Sequence, residues 1–165
     1  MLTWFVWLMK FGRRIVLNTS TLIGAVLRPN SIPRQVLIKA LSEGDLCASP
    51  ATLVELDEVI ARDKFDRYLG LSARQNFSAM YRDRVRLFEI SDADEAALAI
   101  TCRDPPDNKF LALALACSAD VLVSSDDDLL TLNPYCGIQV KTPKAYLNDY
   151  KCAVTDSAGP YKWMS

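Results

Sequence analysis

The sequence predicts an α/β fold in which a central, mostly parallel sheet of four to five strands is covered by helices on both faces. Short apolar runs with the composition of buried strands alternate along the chain with longer runs of helical periodicity. This alternation is typical of right-handed strand–helix–strand crossovers. Half of the 165 residues are apolar and 24% are charged, which excludes disordered, collagenous and coiled-coil proteins. A chain of this length can form one domain with its own core.

In the first half of the chain, two predicted strands are separated by helices with clear boundary residues. The run Arg14–Leu17 is apolar and ends in polar residues, as a buried parallel strand does at its carboxyl end. A helix follows it, and Pro33 suits the first turn of a second helix that Gly44 ends. A second strand is expected at 46–49, where Ser49 caps a third helix that opens with a proline.

The second half continues the same alternation. In chain order, the predicted elements are a polar helix at 63–83, a strand at 85–90, an Ala-rich helix at 92–102, a buried helix at 107–118, a strand at 121–123, a short helix at 124–132, a strand at 138–140 and a helix at 143–150. The helix at 107–118 is apolar almost throughout after Lys109, so we expect it to be covered on all sides.

The composition excludes several kinds of chemistry. The chain has no histidine, so it lacks Ser-His and Cys-His nucleophile activation and any zinc site with an imidazole ligand. An odd number of scattered cysteines with no CxxC pair is not a disulfide framework, and it indicates buried small hydrophobic residues in a reducing cytoplasm. The five cysteines are Cys47, Cys102, Cys117, Cys136 and Cys152.

The two ends of the chain are predicted to lie outside the domain. The apolar run Met1–Met9 is shorter than the roughly 20 residues that cross a membrane, and its basic residues follow it, whereas a signal peptide places them first. We therefore interpret 1–12 as a leader or a mis-assigned start, with an aromatic contact for a partner as the alternative. The domain is expected at 13–150, with a loose tail at 151–165 and no membrane association.

Charge is distributed unevenly along the chain. Residues 1–86 carry 13 basic and 8 acidic groups, whereas 87–165 carry 6 basic and 12 acidic groups. A basic track for a phosphate backbone beside one acidic metal centre requires such a distribution, although a solvated helix face is an equally good interpretation. The candidate backbone-binding residues are Arg62, Lys64, Arg67, Arg74 and Arg82.

Four polar residues are predicted to meet at one edge of the sheet. Asn18 and Asp126 directly follow predicted strands, Asp107 opens the helix before the fourth strand, and Glu55 lies about one and a half turns into its own helix. Ligands of open parallel sheets bind at the carboxyl ends of the strands. Oxygen ligands without histidine or cysteine suit Mg²⁺ or Mn²⁺. Taken singly, each residue is better explained as a helix cap or an exposed surface position, and their shared placement around one crevice is what favours the metal site.

Four sequence blocks together resemble a known family. They are RIVLNTSTL at 14–22, SPATLVELDEV at 49–59, RDPPDNKFLA at 103–112 and LVSSDDDLL at 122–130. This set, which spans most of 13–150, resembles the PIN-domain toxins of bacterial toxin–antitoxin systems, the VapC-type ribonucleases. The resemblance implies a three-layer α/β/α sandwich, metal-assisted hydrolysis of RNA, one or two Mg²⁺ or Mn²⁺ ions, an antitoxin partner and a homodimer.

The resemblance also assigns roles to individual residues. Glu55, Asp107 and Asp126 match the second, third and fourth acidic positions of the family, which hold the cation. The other matched polar positions are Asp128 as an accessory ligand and Ser20, Asn108 and Ser124 around the site. The chain departs from the family at Asn18, where aspartate is usual, and at Ser20, where asparagine is common. An amide oxygen can coordinate a hard cation, but the site then carries one negative charge fewer.

Two other functions remain open at this stage. The neutral Asn18 favours a PIN-like module that has lost catalysis and binds RNA or a protein. A phosphoacceptor receiver domain also places carboxylates at strand ends, and Lys141 follows the last predicted strand. However, such a domain needs an acidic pair after the first strand, where this chain has Asn18 and Thr19.

Overall fold

The computed structural model describes residues 12–156, with side chains described for 12–149. Its centre is a parallel sheet with the strand order β3-β2-β1-β4-β5. The strands are β1 at Arg13–Leu17, β2 at Gly44–Ala48, β3 at Arg86–Leu87, β4 at Val121–Val123 and β5 at Gln139–Lys141. The predicted α/β class with a parallel sheet is confirmed.

Helices cover both faces of this sheet. They are α1 at Thr19–Leu27, α2 at Ile32–Glu43, α3 at Pro50–Ile60, α4 at Leu71–Arg84, α5 at Asp92–Ala96, α6 at Asn108–Ala116, α7 at Asp127–Leu130 and α8 at Pro143–Asp156. Short 3-10 turns lie at Asp63–Phe65 and Pro105–Asp107. None of the helices in the described part of the chain is long and apolar enough to cross a membrane.

The sheet separates two apolar cores because successive strand residues point to opposite faces. Ile15 and Leu17 of β1 pack into a core with α1, α2, α3, α4 and α8. Val16, between them, packs into the second core with α6 and the segment around Tyr135. The result is the three-layer α/β/α arrangement.

The strand order places a crevice between β1 and β4. After β1 the chain adds β2 and β3 on one side, then crosses to add β4 and β5 on the other. In register, Leu17 of β1 lies opposite Val123 of β4, so both strands end at the same level. Ligands of open sheets bind at such a reversal. Receiver domains have the order 2-1-3-4-5, so the receiver alternative is wrong.

Helix boundaries follow from local chemistry. Ser49 caps α3 through the backbone N–H of Thr52, and the Thr52 hydroxyl accepts from the Ser49 N–H in return, which forms a capping box. Gly44 has an extended backbone. A Cβ there would lie 2.0 Å from the carbonyl oxygen of Arg13. Glycine is therefore required by the close approach of β1 and β2, and not by the left-handed helix end that the sequence suggests.

Three predicted elements differ from the structure. The strand at 85–90 is reduced to Arg86–Leu87, both exposed, because β3 is an edge strand that pairs only with β2. The helix at 92–102 ends at Ala96, and the polar helix at 63–83 is divided by turns at 66–70. Alanine content and polarity predict helix formation, but the packing of the chain sets these ends.

The predictions for the ends of the domain and for the burial of the cysteines also differ from the structure in part. Helix α8 continues to Asp156, so the tail predicted to be loose from 151 begins as helix. Residues 1–11 of the predicted leader and residues 157–165 of the predicted tail lie outside the described residues. Burial is confirmed for Cys47, Cys102 and Cys117 and is wrong for Cys136, which is exposed. The side chain of Cys152 lies outside the described residues.

Arg74 on α4 is fully buried. Its guanidinium donates to the carbonyl oxygens of Ile60 at 2.5 Å, Arg62 at 3.0 Å and Leu69 at 2.9 Å, and it pairs with the Asp66 carboxylate. The prediction that Arg74 binds a phosphate backbone is therefore wrong. Its fork of donors organises the turns between α3 and α4 instead.

We expect Arg74→Met to lower the free energy of unfolding by about 3 kcal/mol, since three carbonyl groups lose their donor. Urea denaturation monitored by circular dichroism measures this change. Arg84→Met, at an exposed position of the same helix, is the control and should change stability by no more than about 0.5 kcal/mol. Equal effects of the two substitutions would contradict the structural role of Arg74.

Candidate metal centre

Three carboxylates meet at the crevice between β1 and β4. Oxygen atoms of Asp104, Asp107 and Asp126 all lie within 4.8 Å of one another. Asp126 caps α7 shortly after β4, and Asp107 directly precedes α6. The predicted convergence of Asp107 and Asp126 is present in the structure, and Asp104 joins them.

A pair of prolines brings Asp104 to the site. Pro105 and Pro106 fix the backbone of a 3-10 turn in which the Asp107 N–H donates to the Asp104 carbonyl oxygen at 3.0 Å. Side chains three residues apart eclipse in a 3-10 helix, so Asp104 and Asp107 project from the same side. Asp104 was not predicted from the sequence, although the Asp-Pro-Pro-Asp spacing contains this signal.

Asp107 has the most unfavourable surroundings for a negative charge. It is only 9% exposed, and its Oδ2 atom is buried without a hydrogen-bond partner among the described residues. Burial raises the pKa of Asp107 to about 7, helped by the hydrogen bond that its protonated form makes with Asp126 and by the charges of Asp126, Asp104 and Glu55. A divalent cation would offset the repulsion and give Oδ2 a partner, so the residues fit such an ion.

Asn18 borders the same crevice at the end of β1. Its Nδ2 donates to the Ser124 hydroxyl at 3.0 Å, and its Oδ1 accepts from the Ser20 N–H at 3.0 Å. The Ser124 oxygen also accepts from the Asp126 N–H at 3.0 Å. Ser124 therefore links the ends of β1 and β4. One lone pair on Oδ1 of Asn18 remains for a cation.

The region matched by known proteins covers this site. A family profile described as PIN domain matches residues 14–128, which include both strands of the crevice and all three clustered carboxylates. The chain belongs to the PIN domain family. It is also similar to the uncharacterized protein MJ1680 of Methanocaldococcus jannaschii, with 27% identity over 159 residues that cover 86% of this chain and 94% of that protein.

Solved structures share the PIN fold at low sequence identity. VapBC2 from Rickettsia felis, bound to a DNA fragment from its promoter, matches with a TM-score of 0.56 and 14% identity over 78% of this chain and 98% of that chain. PAE2754 from Pyrobaculum aerophilum matches with a TM-score of 0.52 and 11% identity over 87% of this chain and 94% of that chain. VapC20 from Mycobacterium tuberculosis, a sarcin–ricin loop cleaving toxin, matches with a TM-score of 0.51 and 13% identity over 76% of this chain and 98% of that chain.

Glu55 lies beside the acidic cluster of this PIN domain but is not one of its three members. It forms an ion pair with Lys109 on the first turn of α6, and its charge still contributes to the raised pKa of Asp107. The sequence predicted a purely acidic site, without a role for Lys109. The structure places this ammonium group, about one-fifth exposed, next to Glu55.

The accessory residues have local structural contacts. The Asp128 N–H donates to Asp126 at 2.9 Å, and the Asp128 carboxylate is not part of the three-carboxylate group. Asn108 accepts from the Cys102 N–H at 2.7 Å, which fastens the preceding loop to α6. Ser20 is exposed and donates its N–H to Asn18.

The predicted basic track is not a single surface. Arg82 pairs with Asp57 on α3, and Arg74 is buried as described above. The remaining residues, Arg62, Lys64 and Arg67, are exposed. They follow the carboxyl end of α3, whereas Asn18 and Asp126 border the crevice at the strand ends. The basic stretch therefore follows the carboxyl end of α3, which is the end that lies away from the acidic cluster.

The raised pKa of Asp107 predicts a pH dependence for the metal-free protein. Between its ordinary value of 3.8 and about 7, the folded chain binds more protons at this carboxyl than the unfolded chain does. The free energy of unfolding should therefore fall as the pH rises through this window. Thermal melting in EDTA across this range measures the effect.

Two isosteric variants test this pH dependence, one at Asp107 and a matched control at Asp127. Asp107→Asn should flatten the dependence and exceed the wild type in melting temperature above pH 7. Asp127→Asn, at an exposed neighbour of the cluster, should keep the wild-type slope. A wild-type slope in the Asp107 variant would contradict the assignment.

Proposed function

We propose that this PIN domain is a divalent-metal-dependent endoribonuclease of the toxin type, which hydrolyses RNA phosphodiester bonds. The observation that carries the proposal is the buried Oδ2 atom of Asp107, which has no hydrogen-bond partner among the described residues and lies within a group of three carboxylates. Burying this charge is costly unless a cation occupies the crevice. Membership of the PIN domain family supports a nuclease.

The residues would divide the work as follows. Asp104, Asp107 and Asp126 would hold Mg²⁺ or Mn²⁺ through carboxylate oxygens, with the amide oxygen of Asn18 as a neutral fourth ligand. When bound, the cation supplies Lewis acidity that stabilises charge on the phosphoryl group and favours deprotonation of the attacking water. Ser124 would keep Asn18 and Asp126 at a fixed separation through its two accepted hydrogen bonds.

Glu55 and Lys109 would act together in this scheme. Glu55 matches an acidic position of the family, and we propose that it serves the metal site or accepts a proton from water. Its ion pair with Lys109 orients it. The Lys109 ammonium would also lie close enough to the crevice to attract a phosphate group.

The proposed partners are RNA and a cognate antitoxin. VapC20, which shares the fold, is described as a sarcin–ricin loop cleaving toxin, and VapBC2 is described as bound to promoter DNA. These likenesses support a toxin-type PIN domain with an antitoxin partner. A homodimer in the cytoplasm is part of the same proposal, and analytical ultracentrifugation measures the oligomeric state.

A second candidate function is a PIN module that binds RNA or a protein without cleaving it. Two observations favour it: residue 18 is a neutral amide, and Glu55 is already paired with Lys109. Both lower the negative charge available to a cation. Cleavage of RNA by the purified protein in Mg²⁺, abolished by EDTA, distinguishes the enzyme from this module.

We expect Asp107→Asn and Asp126→Asn each to reduce RNA cleavage by at least about 100-fold and to abolish the rise in melting temperature on addition of Mg²⁺. The asparagine oxygen at 126 can still accept from the Asp128 N–H, so the cap of α7 is retained. Cleavage assays and metal-dependent thermal melting measure the two effects.

Asp127→Asn and Asp63→Asn remove exposed carboxylates outside the cluster and serve as controls. Both should cleave RNA and respond to Mg²⁺ like the wild type. The same loss of activity in all four variants, or unfolding of the two cluster variants, would contradict the metal-binding role of these carboxylates and favour a structural one.

Asn18→Asp should tighten Mg²⁺ binding and increase cleavage, because a carboxylate adds direct charge attraction that an amide lacks. The Ser124 hydroxyl can donate to the new carboxylate, so the link between the strands is preserved. In EDTA the same change should lower the melting temperature through added repulsion.

Asn76→Asp adds the same charge at an exposed position of α4 and controls for net charge. Calorimetric titration with Mg²⁺ and melting in Mg²⁺ and in EDTA are compared for both variants. Unchanged metal affinity in Asn18→Asp, with affinity lost in Asp126→Asn, would show that residue 18 is not a ligand.

A further inference from the structure

A second polar cleft lies between the end of α1 and the turns that follow α3. Its volume is about 320 Å³, which falls in the range of small-molecule sites. Arg28, Lys64 and Arg67 line it together with the rings of Phe65 and Tyr68. Three cations and two aromatic rings therefore meet in one concave surface.

The positive charge of this cleft is largely unopposed. Arg28, Lys64 and Arg67 form no ion pair with an acidic residue in the described part of the chain, unlike Arg82, which pairs with Asp57. The neighbouring Asp66 is already neutralised by the buried Arg74. The buried arginine thus offsets one of the two carboxylates of this segment, Asp63 being the other, and the three surface cations outnumber the carboxylate that remains.

The rings are arranged for contact with a flat ligand. The Lys64 ammonium lies 5.0 Å from the centre of the Phe65 ring, and the Arg67 guanidinium lies 4.8 Å from that of Tyr68. Tyr68 is 47% exposed. A base can stack on the exposed Tyr68 ring or on the planar guanidinium of Arg67, while the other cations bind phosphate.

We propose that this cleft binds a phosphate and an adjacent base of a single-stranded RNA, away from the acidic cluster. The choice of RNA rests on the proposed function. The combination of an exposed ring, that of Tyr68, with cations favours a nucleic acid over an acidic peptide, which needs the charges alone.

Helix α1 sets the distance between the two sites. It begins at Asn18, beside the acidic cluster, and its last turn lines the cleft. Nine helical residues span about 13 Å. Phosphates spaced by about 3.4 Å in a stacked strand, and further apart in an extended one, cover this distance in about two to four nucleotides. The cleft therefore holds a nucleotide a few positions from the one that is cleaved.

The test is binding of a fluorescently labelled single-stranded RNA of about eight nucleotides, measured by anisotropy in EDTA with the full chain. Lys64→Gln combined with Arg67→Gln should raise Kd by about tenfold or more and reduce the slope of log K against log salt by about 1.4. Tyr68→Leu should raise Kd by about fivefold or more with an unchanged salt slope, because it removes stacking but no charge.

Arg34→Gln combined with Lys144→Gln is the matched control. It removes two cations that lie on α2 and α8, without an ion pair among the described residues and outside the cleft, and it should bind RNA like the wild type. Circular dichroism checks the fold of each variant. The proposal is overturned if the control loses as much affinity as the cleft variant, if the cleft variants bind like the wild type, or if the wild type does not bind.

Two further measurements separate this proposal from the proposed function. RNA cleavage in Mg²⁺ with unchanged binding by the cleft variants would overturn the cleft and leave the nuclease intact. Cleft-dependent binding without any cleavage would support the cleft and contradict the nuclease. Binding of a labelled oligoglutamate peptide, lost in the Lys64 and Arg67 variant while RNA is not bound, would assign the cleft to a protein partner instead.

Discussion

The repulsion among three carboxylates at the ends of β1 and β4 is the constraint on which the site depends. Asp104, Asp107 and Asp126 would separate if their backbone were free to move. Backbone hydrogen bonds hold the two segments that carry them: the Asp107 N–H donates to the Asp104 carbonyl oxygen at 3.0 Å, and the Ser124 N–H, two residues before Asp126, donates to that of Lys141 at 3.0 Å. The 3-10 turn and the end of the parallel sheet thus restrain like charges that would otherwise separate.

This arrangement explains the different roles of the basic residues. Lys109 meets Glu55 at the edge of the cluster, while Arg82 and Arg74 pair with carboxylates on or after α3. Charges that hold helices together are therefore already neutralised. Those that remain unpaired in the described structure include Arg28, Lys64 and Arg67, so this group of cations and the acidic cluster lie at opposite ends of α1.

Sequence patterns predicted the parts of the structure that depend on local chemistry. Apolar runs located β1 and β4, and Ser49 and Pro50 located the start of α3. Asp104 was missed because its position depends on a 3-10 turn, which hydrophobic periodicity does not detect. Arg74 was misassigned because its carbonyl partners lie up to 14 positions away. The short β3 follows from its place at the sheet edge, which no local pattern specifies.

The bonds from Arg74 to the backbone after α3 have a consequence for local opening. The turns at 61–70 are mostly exposed, and segments of this kind commonly open independently of the core. Here, however, their carbonyl groups are held by a side chain whose backbone belongs to α4. Opening these turns would break the bonds to Arg74, so we expect the turns and α4 to open together and the amide protons of Tyr68 and Leu69, which donate to the Phe65 carbonyl oxygen, to exchange with solvent on the timescale of that opening.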